Sequence, residues 1–249
     1  MLIKSLIILI GILIVGFFES IFPKEKILFQ SKFNRMKKNI FFWICNSLLS
    51  PLLILPVSLW ATQKHLHSLF VFENAVIYFL FNLLILDVFL YWWHRLNHKI
   101  SFLWRFHHVH HLDETLDLTT AVRFHFGEVI LSACARFFII IIFNISFMNL
   151  IIIEGIILLA SIFHHSNINL FHRAEKILSY IIVTPSIHWV HHHAKQTNTD
   201  SNYSTIFSWW DRLFYTRSSM LRFIGMIIGV EGDKEQTLFT LIRRPFIKK

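Results

Sequence analysis

Residues 129–163 constrain the fold more than any other part of the chain, because about 35 consecutive residues here are almost all apolar. A helix needs only about 20 such residues to cross the hydrocarbon core of a bilayer. The stretch is therefore too long for one crossing, and Asn144, Ser146 and Asn149 give it a polar middle. We predict a helical hairpin that enters and leaves a membrane.

Two charged residues interrupt the arms of this hairpin. Arg136 and Glu154 lie at similar distances from the polar middle, one in each arm. An isolated charge inside a membrane is costly, so such residues are usually paired. We therefore expect an ion pair between the two arms.

Three further apolar runs precede the hairpin, at residues 2–22, 40–60 and 71–93, and each is long enough to span. The first resembles a signal peptide, but no small-x-small cleavage site follows it, so an uncleaved span is preferred. The sequence thus predicts an all-α integral membrane protein with four or five transmembrane helices. Residues 177–184 and 223–230 are also apolar but too short to cross, and we expect them at the membrane interface.

The distribution of basic residues predicts which side of the membrane each loop occupies. Residues 23–38 carry six Lys or Arg, whereas Lys64 is the single Lys or Arg in residues 61–69. Short basic loops tend to stay cytoplasmic. This topology places every histidine from His94 onward in a cytosolic cap. It also explains the net charge of +9, which therefore does not indicate nucleic-acid binding.

Sixteen histidines are unusual for a chain that is 55% hydrophobic. Histidines four residues apart form a first group, and the pattern H-x-x-H-H occurs twice further along. Positions i, i+3 and i+4 share one face of a helix, so each group can direct two or three imidazoles at a common centre. The three groups are His94 and His98, then His107, His110 and His111, then His188, His191 and His192.

Four other histidines do not fit this pattern. His65 and His67 are interpreted as hydrogen-bonded residues without a metal role, and His108 and His193 are expected to face away from the centre. A surface patch of histidines would not explain the repeated spacing of the other eight.

Eight convergent imidazoles exceed what one metal ion can use, because a transition ion takes about four to six ligands. Imidazole suits zinc, iron, copper or nickel, whereas magnesium and calcium prefer oxygen. Catalytic zinc needs only three protein ligands. The sequence therefore favours two redox-active ions, most consistently iron. Cys45 and Cys134 both lie in apolar runs and support neither a disulfide nor a thiolate site.

Carboxylates are expected to orient the metal-binding rings through the second ring nitrogen. Asp87 lies two helical turns before His94 within an apolar run, and we predict that it braces the first group. Glu128 and Asp211 are weaker candidates for the same role.

Four segments of the chain resemble the fatty acid hydroxylase / sterol desaturase superfamily of membrane-bound non-haem di-iron enzymes. They are "DVFLYWWHRLNHKISFLWRFHHVHHLDE", "RFHFGE", "FHHSN" and "TPSIHWVHHHAKQTNTDSNYSTIFSWWDRLFYT". The short gap between His98 and His107 is typical of this superfamily among histidine-box enzymes. The resemblance covers residues 79–216.

The resemblance implies that all eight histidines of the three groups are metal ligands. His165 matches a further family histidine and is expected to be a ninth, and His125 matches the R-x-H-x-x-E element, with a role as ligand or as an orienting residue. The roles of His164 and His172 stay open. This chain has Phe126 where many members have proline, and it has Ser204 and Tyr215 where glycines are common.

The resemblance also divides the chain into a transmembrane scaffold at 1–78, a catalytic domain at 79–216 and a cytosolic or interfacial tail at 217–249. It implies an enzyme that holds two iron ions, replaceable by zinc in purified protein, and uses O₂ to hydroxylate or desaturate a lipid such as a sterol or fatty acyl chain. No nucleotide-binding loop, haem motif or cysteine cluster is present. Electrons are therefore expected from a separate donor, such as cytochrome b5 or a ferredoxin with its reductase.

A membrane carrier for zinc or iron is the main alternative from another class. Transport needs sites near the membrane midplane that open alternately to both sides, whereas the histidine groups are predicted at one face. A bis-histidine haem protein and a catalytically inactive lipid-binding relative are further alternatives, the latter disfavoured because all eight core histidines are present.

Overall fold

The computed structural model describes residues 2–64 and 72–247, and regular structure in these ranges is helical, with isolated bridges but no strand. His65 and His67 lie outside the described residues. The helices are α1 (Leu2–Ile21), α2 (Phe29–Leu49), α3 (Leu55–Thr62), α4 (Ala75–Lys99), α5 (Ser101–His111), α6 (Phe126–Ile142), α7 (Phe147–His165), α8 (His172–Leu178), α9 (Pro185–His191), α10 (Gln196–Thr199), α11 (Trp209–Leu213) and α12 (Leu238–Arg243). A π-helical turn at Ser50–Ile54 joins α2 to α3, and 3₁₀ turns occupy Leu118–Val122 and Arg244–Phe246.

Three helical stretches are long and apolar enough to cross a membrane: Gln30–Thr62, Ala75–Lys99 and Phe147–His165. The first combines α2, the π turn and α3. Helix α6 is also apolar but shorter, at 17 residues, and Ser5–Ile21 of α1 is a further short apolar stretch. The all-helical architecture predicted from the apolar runs is therefore present.

The predicted hairpin is formed by α6 and α7, which are joined by a short turn. Asn144 occupies the left-handed region at φ 49°, which asparagine tolerates better than most residues. Ser146 caps α7 by accepting a hydrogen bond from the Asn149 amide. The predicted pairing of the arms is confirmed, since Arg136 Nη1 lies 3.1 Å from Glu154 Oε1.

The basic segment between α1 and α2 lies at the histidine end of the helices. Glu19, near the end of α1, accepts hydrogen bonds from the amides of Leu118 and Asn167. In the first turns of α2, Arg35 binds Asp113 at 2.9 Å and also contacts Asp117. Residues 23–38 therefore share one end of the bundle with the loops that surround α5.

The C-terminal tail packs onto the histidine end rather than standing apart from it. Met226 and Ile228 are buried against Trp189, and Leu241 is buried against Val109. Backbone hydrogen bonds also join residues 227–231 to residues 192–194. The tail is therefore an integral wall of the cap.

Candidate metal centre

Four helices bring the predicted ligands together at one end of the bundle. His94 and His98 lie in the last turns of α4. Ile100 is both the C-cap of α4 and the N-cap of α5, so α5 follows directly and folds back on α4. Helix α7 ends at His165. The remaining ligands lie in α5 and in or immediately after α9. All nine predicted ligands therefore meet at helix ends.

The nine histidines form two groups, in each of which one nitrogen per residue lies within 4.8 Å of all the others. We call them the first centre and the second centre. The first centre contains His94, His98, His107, His111 and His191. The second centre contains His110, His165, His188 and His192.

Each H-x-x-H-H motif contributes to both centres and does not direct all its imidazoles at a common one. His107 and His111 serve the first centre while His110 serves the second. In the other motif the assignment is reversed, since His188 and His192 serve the second centre and His191 the first. The physical reason is that consecutive helical residues point about 100° apart. The two centres consequently adjoin, with the His111 and His192 rings stacked at 4.3 Å.

Hydrogen bonds fix the tautomer of three rings in the first centre. The Nδ1 atoms of His94 and His191 lie 2.9 and 2.7 Å from the carbonyl oxygens of Tyr203 and Ser201, and His107 Nδ1 lies 2.8 Å from Glu128 Oε1. A carbonyl or carboxylate only accepts, so each Nδ1 is the donor and each Nε2 presents a lone pair. These three Nε2 atoms are buried without a hydrogen-bond partner.

In the second centre, hydrogen bonds fix the tautomer of two rings, and the Nε2 atoms lie close together. His110 Nδ1 and His165 Nδ1 lie 3.2 and 2.8 Å from the carbonyl oxygens of Arg123 and Ser161. Their Nε2 atoms therefore present lone pairs to each other at 3.1 Å, where neither ring can donate. The Nε2 atom of His188 is 2.9 Å from that of His165 and 3.1 Å from that of His192. A cation between the rings would satisfy all four.

The nitrogen spacing fits a metal ion. Two ligands bound at about 2.1 Å and at right angles are about 3 Å apart, whereas a hydrogen bond between His110 and His165 needs a donor that their tautomers do not supply. Burial also lowers the pKa of His191 to about 3, and it lowers the pKa of four further ligands well below the ordinary value: His110, His111, His188 and His192. The rings are thus neutral at pH 7, as metal binding requires.

Of the predicted orienting carboxylates, Glu128 directly contacts a ligand. Its Oε1 accepts from His107 and also from Asn97 Nδ2 at 3.2 Å. Asp211 orients His94 indirectly. Its carboxylate accepts hydrogen bonds from the amides of Tyr203 and Ser204, and this fixes the Tyr203 carbonyl to which His94 donates. Burial raises the pKa of Asp211.

Asp87 does not brace the first histidine group as expected. Its oxygens accept from the amides of Ile206 and Phe207 at 3.0 and 3.1 Å and from Trp210 Nε1 at 2.7 Å. The carboxylate is satisfied by the loop after α10 and therefore anchors that loop to α4.

His125 precedes α6 as its N-cap. Its Nδ1 accepts from the Gly127 amide at 3.0 Å, so the proton lies on Nε2, which is 3.0 Å from the Ile242 carbonyl. Both nitrogens are occupied, and a metal-ligand role is not what this geometry supports. His108 and His193 lie outside both centres, and His172 is exposed at the start of α8.

Two contacts near the centres were not anticipated. His164 packs beside His188 with ring centroids 4.1 Å apart, and its Nδ1 is buried without a partner. Asp200 Oδ1 lies 3.7 Å from His98 Nδ1. The adjacent "HH" was a sequence signal for His164, whereas Asp200 and the carbonyl partners have no recognisable sequence signature.

A cavity of about 440 Å³ opens onto both centres. Five ligands contribute to its wall: His94, His107, His110, His165 and His188. The remaining lining comes mostly from α2, α6 and α7, and includes Trp43, Ile54 and Leu158. Its volume is in the range of small-molecule sites.

An all-helical fold with candidate membrane helices and a buried histidine cluster is what the sequence resemblance implies, and comparison with known proteins agrees. The chain belongs to the fatty acid hydroxylase family, whose model matches residues 79–216. Alkylglycerol monooxygenase of Xenopus tropicalis is 34% identical over 136 residues, covering 51% of this chain and 27% of that protein. Ornithine lipid hydroxylase OlsE of Rhizobium tropici is 26% identical over 167 residues, covering 67% and 50%.

The chain thus spans from about a quarter to half of the length of these curated relatives. No solved structure matches it.

Proposed function

We propose that the chain is a non-haem di-iron enzyme of the membrane that uses O₂ and two external electrons to hydroxylate a C–H bond of a lipid. The observation that carries this proposal is the pair of adjoining centres, in which nine imidazoles, seven of them from buried residues, converge beside a cavity. Membership of the fatty acid hydroxylase family supports the same reaction class.

The donor set favours iron among the possible metals. Nine nitrogens and no thiolate suit borderline ions such as iron and zinc. A zinc enzyme would not need two centres with four and five protein ligands. When bound, a pair of iron ions supplies the oxidising power that side chains lack for attack on an unactivated C–H bond. Zinc is expected to occupy the same ligands in protein purified without added iron.

The protein's own residues hold and orient the reacting partners. The carbonyls of Tyr203 and Ser201 and the carboxylate of Glu128 keep three ligand rings in the tautomer that presents Nε2. A substrate in the cavity would have its reacting carbon beside ligands of both centres, which line the wall. Ligand burial excludes bulk water, which limits side reactions at the site.

Hydroxylation is favoured over desaturation by the names of the relatives, a monooxygenase and a hydroxylase. The balanced reaction inserts one oxygen atom of O₂ into the C–H bond and reduces the other to water, consuming two electrons and two protons. A fatty acyl, alkyl or sterol carbon satisfies this chemistry equally well.

The proposed topology has four or five membrane-spanning helices with the histidine end on the cytoplasmic side. The position of the basic segment at that end supports it. The division into a scaffold at 1–78, a catalytic domain at 79–216 and a tail at 217–249 is part of the same proposal, with the tail closing the cap. A separate donor, such as cytochrome b5 or a ferredoxin with its reductase, would dock at this side.

The first test is metal content measured by elemental mass spectrometry on protein purified in mild detergent from iron-supplemented cells. We expect about two irons per chain in the wild type and a large loss in His191→Ala. His193→Ala is the matched control, since His193 belongs to the same run of histidines but to neither centre. Iron retained by His191→Ala, or absent from the wild type, would contradict the proposal.

Product analysis completes the test. Wild-type protein expressed in cells should yield a lipid that is heavier by one oxygen atom, and the label should follow isotopic O₂. Zinc uptake into vesicles without such a product would favour the carrier alternative instead.

A further inference from the structure

The wall of the cavity carries a polar stripe that extends beyond the residues that orient the metal ligands. On α6 the stripe consists of Glu128, Ser132 and Arg136, spaced four residues apart and therefore on one face. On α7, Glu154 and Ser161 are seven residues apart and also share a face. Glu128 and Ser161 also hold the ligands His107 and His165. A slot that only held a hydrocarbon chain would gain nothing from Ser132, Arg136 and Glu154, because each must be desolvated.

The stripe ends at the Arg136–Glu154 ion pair, away from the metal centres. Arg136 follows Glu128 by eight residues, and Glu154 precedes His165 by eleven, so at a rise of 1.5 Å per residue the pair lies about 12–16 Å along the helices from the histidine end. Charges at this position in a membrane helix are costly and usually have a function.

The ion pair has hydrogen-bonding capacity left over. Nη1 of Arg136 contacts Glu154 at 3.1 Å, and among the described residues the guanidinium has no other partner. A guanidinium carries five N–H donors, and a carboxylate accepts at two oxygens. The Glu154 side chain is 34% exposed, and both residues line the cavity.

We propose that the Arg136–Glu154 pair binds a hydroxyl or amide group of the substrate, about 12–16 Å from the carbon that is oxidised. Such a group accepts from Arg136 and donates to Glu154, which a hydrocarbon, an ether or an ester cannot do. The inference rests on the proposed function in taking the histidine end as the place of oxidation. It narrows the substrate class to lipids with a donor-and-acceptor group at that distance.

Binding can be measured on metal-free protein through the tryptophans of the cavity, Trp43 and Trp93. The probes are ω-bromoundecanol and bromoundecane, since bromine quenches a nearby tryptophan and the two chains differ by one hydroxyl. With the hydroxyl at the ion pair, the bromine should approach Trp93, which is adjacent to His94. Trp93→Phe identifies that signal.

In the wild type we expect the alcohol to bind at least about tenfold more tightly than the bromoalkane, because a site built for a hydroxyl leaves buried polar groups unpaired without it. Arg136→Gln and Glu154→Gln should reduce this preference to nearly one while leaving bromoundecane affinity unchanged. Arg173→Gln, which removes an exposed arginine of α8, should preserve it. Equal affinities in the wild type, or an unchanged preference in both variants, would overturn the proposal.

A second measurement uses the wild type alone and so does not depend on whether the variants fold. In the wild type, bromoalcohols of increasing chain length should quench Trp93 most efficiently at one intermediate length, because the hydroxyl end is fixed. Quenching that rises steadily with chain length would indicate partitioning without an anchor and would also overturn the inference. Loss of lipid oxidation with hydroxyl binding intact would instead count against the proposed reaction alone.

Discussion

His107 donates through Nδ1 to Glu128 Oε1 over 2.8 Å, and the same carboxylate oxygen accepts from Asn97. The bond links a ligand on α5 to the first turn of α6. The bond fixes the ring so that Nε2 faces the first centre. The negative charge of the Glu128 carboxylate also makes that nitrogen a stronger ligand.

Replacing Glu128 with Ala should therefore weaken metal binding. The expected loss of iron affinity is about 10–100-fold, since this is the usual effect of removing an orienting partner. Iron retained against a competing chelator measures it. Glu128→Gln should lie between Ala and wild type, because an amide oxygen still accepts from Nδ1 without the charge. Glu231→Ala, at an exposed position, is the control, and equal iron retention in all variants would contradict the role.

Asp87 is expected to contribute to stability rather than to metal affinity. Asp87→Asn leaves one acceptor oxygen for three donors, so at least one buried N–H loses its partner, at a cost of about 1–3 kcal/mol. We expect a lower melting temperature with iron content unchanged below the transition. Trp210→Phe removes one of these donors and should make the effect of Asp87→Asn smaller in the double variant. Iron loss without destabilisation would restore the role expected from the sequence.

The contrast between Glu128 and Asp87 shows what sequence periodicity can predict. Local sequence patterns identified the hairpin, the Arg136–Glu154 pair and eight of the histidines, because these depend on residues whose neighbours are local or whose chemistry is distinctive. The ninth histidine, His165, was predicted from the family resemblance. Asp87 was misplaced because its partners are 119–123 residues away, two in a loop without regular structure and one in the short helix α11. Backbone carbonyls such as that of Ser201 orient ligands without any side-chain signal.

The exchange of histidines between the two centres has a similar explanation. An H-x-x-H-H motif indicates several imidazoles on one side of a helix, but the side chains still span about 100° between adjacent positions. Which centre receives His110 or His191 depends on how α5 and α9 pack against α4 and α7. That packing is a property of the tertiary structure.

His125 should make stability depend on pH. Burial lowers the pKa of His125 below its ordinary value of 6.5, and its Nδ1 must stay unprotonated to cap α6. A depressed histidine pKa contributes stability that is complete above the unfolded pKa and is lost as pH falls through the folded pKa. When the pH is lowered from 7 to 5, the melting temperature of the wild type should fall more than that of His125→Asn, whose amide oxygen can cap the helix at any pH. Parallel pH profiles for the two proteins would contradict this prediction.

Tyr215 is strained, and its replacement should stabilise the protein. It lies at φ 56° with 95% of its surface exposed. A side chain in the left-handed region costs about 1–2 kcal/mol, and glycine removes this cost while adding roughly 0.5–1 kcal/mol of backbone entropy. Tyr215→Gly should therefore raise the free energy of unfolding by about 0.5–1 kcal/mol, seen as a higher melting temperature. Tyr215→Ala keeps the Cβ atom and should give no gain, so equal stabilisation by both variants would show that the aromatic ring, and not the backbone conformation, was unfavourable.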